Sequence, residues 1–189
     1  MERMNEFFKA VLSSGILMFS ACHPKADLSE QKSSDNEGDW KVLLKEELPL
    51  LGHRNWIVVT DMAYPLQTNP GITTLYACEP YHEVIKTVAG MIKDAPHVFA
   101  HIYQDQEQLA LSEELAPGWD EYKASISQVL DLSDVQLVPH EELIVRLDET
   151  SRLCQVIIIK TSLTVPYTST FFELDCGYWD GDRERKIRE

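Results

Sequence analysis

The chain has 189 residues and a mass of 21.6 kDa, room for one ordinary domain with appendages but not for two. Its 31 acidic and 17 basic side chains leave a formal net charge of −14, which argues against nucleic acid as a partner, because phosphate binding needs a concentrated positive face. Hydrophobic residues at 44% and charged residues at 25% match an average globular domain, and no apolar run reaches the roughly 20 residues that span a bilayer.

Residues 1–21 read as an export signal of the lipoprotein type. Lys9 precedes an apolar stretch from Ala10 to Ala21, the length of a signal core and too short for a membrane span. The stretch ends Phe19-Ser20-Ala21-Cys22, which resembles a bacterial lipobox and makes Cys22 the candidate lipidation site. The alternative is an amphipathic N-terminal helix with a chance cysteine. Residues 22–39 are polar and aperiodic, so they cannot bury enough surface to offset their ordering entropy and predict a solvated linker. The expected location is therefore outside the cytoplasm, with the acidic body held at a bacterial membrane by lipid rather than by charge.

From Trp40 the pattern predicts one domain, residues 40–179. Val42 to Leu48 suit a short helix ending at Pro49, and Trp56 to Thr60 form a continuous run rich in β-branched residues, expected of a strand buried on both faces. Ile72 to Ala77 predict a second strand, Glu79 to Lys93 an amphipathic helix, and His97 to Tyr103 an alternating strand. After the Pro117-Gly118 break come a helix over Trp119 to Leu130 and a short strand over Val135 to Val138. A further helix begins at Pro139, its acidic Glu141 and Glu142 favoured by the N-terminal dipole. Cys154 to Lys160 and Thr170 to Leu174 are the last strands, and residues 180–189, with four acids and four bases, are expected to be a solvated, frayed tail. Alternation of this kind means an α/β domain, three layers α/β/α around a mixed, mostly parallel sheet.

No cofactor is expected. Glycine-rich phosphate loops are absent from the sequence. Cys78, Cys154 and Cys176 lack metal-ligand spacing; they permit one disulfide with one thiol left over, or three small buried hydrophobes. His97 and His101, four apart on a strand, stand about 13 Å apart at ~3.3 Å per residue, too far to share an ion.

Three blocks carry the remaining signal: Leu51-Gly52-His53 through the strand to Asp61-Met62-Ala63-Tyr64-Pro65; Val135 to Val138 followed by Pro139-His140-Glu141-Glu142; and Val156 to Thr161 followed by Pro166-Tyr167-Thr168-Ser169. In this order and spacing they resemble the RbsD/FucU family, the ribose pyranases and fucose mutarotases, over roughly residues 42–178. The chain departs from that pattern at Lys160 (family Arg), Ser162-Leu163 (family Gly-Glu) and Ser169 (family Asn).

The resemblance implies an isomerase acting on a monosaccharide such as ribose or fucose, with His53 as the acid/base group and Asp61, His140, Tyr167 and Ser169 lining the sugar site. The alternative is a sugar-binding lipoprotein without catalysis on the same fold. Opening a hemiacetal moves one proton off the anomeric hydroxyl and one onto the ring oxygen, a task suited to imidazole near neutral pH. Each residue also has a plainer reading: His53 as a turn residue, Asp61 and His140 as caps, Tyr167 as packing. Lys160 is read as a structural cation.

Spacing bears on assembly. A five-residue strand separates His53 from Asp61 by about 16 Å at ~3.3 Å per residue, so a monosaccharide cannot touch both from one chain. If both serve one sugar, the site lies between protomers of a homo-oligomer, and the family resemblance implies pentamers or decamers.

Overall fold

The computed structural model describes residues 39–189; the expected signal, Cys22 and residues 22–38 lie outside the described residues. Asp39 opens α1 (Trp40–Glu47) by accepting a hydrogen bond from the Lys41 N–H at 2.9 Å, which satisfies one of the amides a helix start leaves unpaired. A 3₁₀ turn over Leu48–Leu50 follows, with Pro49 in it. In chain order come β1 (Trp56–Thr60), β2 (Ile72–Tyr76), α2 (Tyr81–Asp94), β3 (Val98–Asp105), α3 (Trp119–Ile126), β4 (Val135–Val138), α4 (His140–Thr150), β5 (Val156–Lys160), β6 (Thr170–Cys176) and α5 (Gly181–Arg188).

The six strands form one sheet in the order β2-β5-β1-β6-β3-β4. β1 pairs in parallel with β5, β5 with β2, and β3 with β4; β6 runs antiparallel between β1 and β3. Strands β1, β3 and β4 therefore point the same way, and β6 returns its C-terminal end to the edge where β1 begins.

Period-two alternation sorts the side chains into two cores. Ile57, Val59, Ile157, Ile159, Phe172 and Leu174 pack one face against α1, α2 and α3. Trp56, Val58, Val156, Ile158 and Phe171 pack the other against Leu143 and Leu147 of α4. All five residues of β1 are buried, the four apolar ones and the β-branched Thr60 alike. The result is the expected three-layer α/β/α sandwich with a mixed, mostly parallel sheet.

Several boundaries differ from the sequence reading. β3 continues two residues past Tyr103, to Asp105, and α3 stops at Ile126 rather than Leu130. Residues 180–189 are exposed apart from half-buried Glu184, as their charge implies, yet 181–188 are helical rather than frayed. Asp180 caps that helix through Asp182 N–H and Arg183 N–H, and Arg188 pairs with Glu184 one turn back. The three described cysteines are free thiols, and Cys78 is exposed rather than buried.

Candidate functional site

His53 sits in the turn that leads into β1. The turn closes through Asn55 N–H to Gly52 O (3.0 Å) and Gly52 N–H to the Asn55 side chain (2.7 Å), with Arg54 held at φ 74°. A non-glycine residue in the left-handed region is disfavoured by about 1–2 kcal/mol. Here Arg54 N–H is anchored on Leu174 O at 2.9 Å. His53 therefore stands out from the sheet edge, its side chain 64% exposed.

The end of the antiparallel strand meets it there. His53 Nδ1 lies 2.6 Å from Asp175 Oδ1, and His101 Nε2 lies 3.4 Å from Asp175 Oδ2. Partial burial pushes the Asp175 carboxyl up, but the Cys176 N–H, His53 and His101 outweigh it and hold it below the usual carboxylate range. The ionised carboxylate can only accept, so it keeps the hydrogen of His53 on Nδ1 and leaves Nε2 as the free lone pair. His53, His101 and Asp175 line a cavity of about 760 Å³ together with Phe99, Tyr178 and Trp179.

A second cluster occupies the opposite edge, at the carboxyl ends of β1, β3 and β4. Asp61 Oδ1 accepts from Ala63 N–H (2.7 Å) and Tyr64 N–H (3.1 Å), closing the turn toward Pro65. It also borders a hollow of about 300 Å³ with Met62, Ala63, Thr164, Val165 and Pro166. His140 is the first residue of α4; its backbone N–H donates to the Glu107 carboxylate at 3.0 and 3.2 Å, and its Nδ1 lies 3.0 Å from Asp105 Oδ1. The Tyr167 ring stands edge-on to the His140 ring, centroids 5.6 Å apart, with its backbone at φ 56°.

Asp105 is wholly buried, and its second carboxylate oxygen has no hydrogen-bond partner among the described residues. Burial raises its pKa to about 6; contact with His140 opposes that rise, and Glu107 and Asp61 add to it.

The structure thus gathers Asp61, His140 and Tyr167 at one edge and places His53 at the other. Ser169 lies at the Asp61 edge too, since the next residue, Thr170, pairs with Val59, but it is buried at 2% exposure. Lys160 donates to Tyr64 O at 2.5 Å, a structural cation as its sequence context suggested. Reasoning from sequence missed Asp105, Glu107, His101 and Asp175. Asp105 closes a strand just as Asp61 does, a signal that was available. The meeting of Asp175 with His53 was not, because it depends on β6 running antiparallel to β1.

The pattern of the RbsD / FucU transport protein family matches residues 42–176. No curated protein matches the chain significantly. Among solved structures, RbsD of Bacillus subtilis, complexed with D-ribose, is similar at a TM-score of 0.50 and 15% identity, covering 74% of this chain and 96% of that one. The fucose mutarotase of Streptococcus pneumoniae, in complex with L-fucose, has a TM-score of 0.46 and 16% identity, covering 70% and 90%. FucU of Bifidobacterium longum has a TM-score of 0.47 and 13% identity, covering 71% and 94%.

Proposed function

We propose, from the premise that this chain belongs to the RbsD / FucU transport protein family, that it interconverts ring or anomeric forms of a monosaccharide by acid/base catalysis. The observation that carries this reading is the exposed His53 imidazole, fixed at Nδ1 by Asp175 and set in the wall of a cavity. Nε2 of that ring removes the proton of the anomeric hydroxyl. The bond from the anomeric carbon to the ring oxygen breaks, and the ring oxygen takes a proton back. The open-chain carbonyl then turns and recloses on its other face, or through another hydroxyl. Proton transfer by a positioned side chain is worth about 10²–10⁴ in rate, so His53→Ala should slow anomer exchange by that factor. Exchange spectroscopy on D-ribose and L-fucose reads it directly, and equal rates for His53→Ala and wild type would remove the catalytic reading.

Asp61, His140 and Tyr167 form the other half of the sugar site in this reading. They lie beyond the reach of His53 within one chain, so they come from a neighbouring protomer and the active species is a homo-oligomer. Cys22 belongs to the same picture as the lipid anchor of an exported protein. Its test is labelling with a radioactive fatty acid, which Cys22→Ser should abolish.

A second reading, a non-catalytic sugar-binding lipoprotein, is favoured by one specific feature. Ser169 is shorter than the family's Asn and is buried, so one expected contact to the sugar is missing. Saturable sugar binding without accelerated exchange would select it.

A further inference from the structure

The cavity beside His53 has a wall that the family pattern does not supply. The match to the family ends at Cys176, yet Tyr178, Trp179, Gly181 and Glu184 also line the cavity. The segment is firmly seated. Gly177 N–H donates to His97 O at 2.9 Å, and a side chain on Gly177 would meet Val98 N at 2.9 Å and His97 C at 3.0 Å, so the backbone passes flush against the start of β3. His97 Nε2 in turn lies 3.1 and 3.2 Å from the carbonyls of Leu51 and Leu48, the elements that precede His53. Beyond it, the Trp179 indole N–H donates to Glu184 Oε2 at 2.9 Å, and Arg183 donates to Tyr178 O at 2.9 Å.

Trp179 stands apart from the other tryptophans. The chain has four; Trp40, Trp56 and Trp119 are 3%, 2% and 5% exposed and belong to the two cores, whereas Trp179 is 41% exposed. This large aromatic surface, left exposed beside an imidazole–carboxylate pair, belongs to neither core of the chain. Its indole N–H is already occupied, so the ring offers its face and edge rather than a hydrogen bond. That suits the C–H-bearing face of a pyranose, whose hydroxyls the polar side of the cavity can engage.

We propose that Trp179 is a specificity-determining residue, stacking on the apolar face of the saccharide that His53 acts upon. The assignment rests on the sugar reading of the His53 cavity. It explains the use of the segment after Cys176, which walls the cavity and packs no core residue of its own.

Tryptophan fluorescence tests it on the full chain. Titration with D-ribose and L-fucose should give a saturable change for at least one sugar, because a single tryptophan is poised to report it. Trp179→Phe should abolish the change while calorimetry shows affinity within about twofold of wild type, and Trp179→Ala should weaken binding about fivefold to tenfold. Unchanged affinity in a folded Trp179→Ala, checked by circular dichroism, would overturn the assignment. Exchange spectroscopy run beside the titration separates the two proposals. A saturable Trp179 signal without accelerated anomer exchange refutes catalysis and leaves the stacking residue standing. Accelerated exchange with a silent Trp179 does the reverse, and no binding by the wild type overturns both.

Discussion

Two histidine–aspartate pairs mark the two ends of the sheet, and their environments set them apart. Asp175 is partly exposed and held ionised by its contacts, so it serves His53 by fixing the tautomer and the direction of the ring. Asp175→Asn should lower kcat by about tenfold or more with little change in KM, and Asp175→Glu should recover part of the loss; an unchanged kcat would deny the positioning role. Asp105 is buried, and its pKa rises to about 6. Because the folded state resists its ionisation, stability is unpenalised below the unfolded value near 3.9 and falls as pH rises through 4 to 6. The full cost, about 3 kcal/mol, is present above that. Asp105→Asn keeps an acceptor for His140 and should therefore be more stable than wild type at pH 8 but equal to it at pH 3. Denaturation curves at the two pH values check this, and parallel curves for both proteins would refute it.

At the level of elements, β1 was legible because four successive apolar residues followed by β-branched Thr60 can be satisfied only between two covered faces, and its observed limits are those predicted. The C-terminal helix was not. Its sequence lacks an apolar stripe, and the cap and charge pairs that hold it are local contacts that composition does not reveal. Backbone strain also concentrates near the proposed site residues: Arg54, next to His53, and Tyr167 are the two non-glycine residues with positive φ among those described. The tightest backbone approach lies elsewhere, where β2 begins. A side chain on Gly71 would lie 2.0 Å from Ser151 O and 2.8 Å from Cys154 O. Gly71 O also accepts from Val156 N–H at 2.8 Å, the start of β5. Gly71→Ala should consequently cost more than about 2 kcal/mol by prying β2 from β5. A thermal midpoint equal to that of wild type would show that the loop after α4 can give way.

For the whole molecule, the decisive fact is that His53 and Asp61 stand at opposite ends of one strand. If neighbouring protomers complete each other's sites, His53→Ala and Asp61→Asn chains should each be inactive alone. Mixed and reassembled in equal amounts, they should regain roughly a quarter of the wild-type sites, since random pairing joins an intact His53 to an intact Asp61 that often. No recovery, in an oligomer shown by light scattering to have exchanged subunits, would mean that each chain works by itself. The sequence alone was enough for the α/β class, for the order of the elements through β6 and, through the family resemblance, for proposing His53, Asp61, His140 and Tyr167, because hydrophobic period and short motifs are local properties. The tertiary structure alone decided that Asp175 backs His53, that buried Asp105 backs His140, that Ser169 is interior and that Trp179 walls the cavity. Each of those depends on strand direction and register, which bring together residues more than a hundred positions apart in one case and expose or bury others that look alike in sequence.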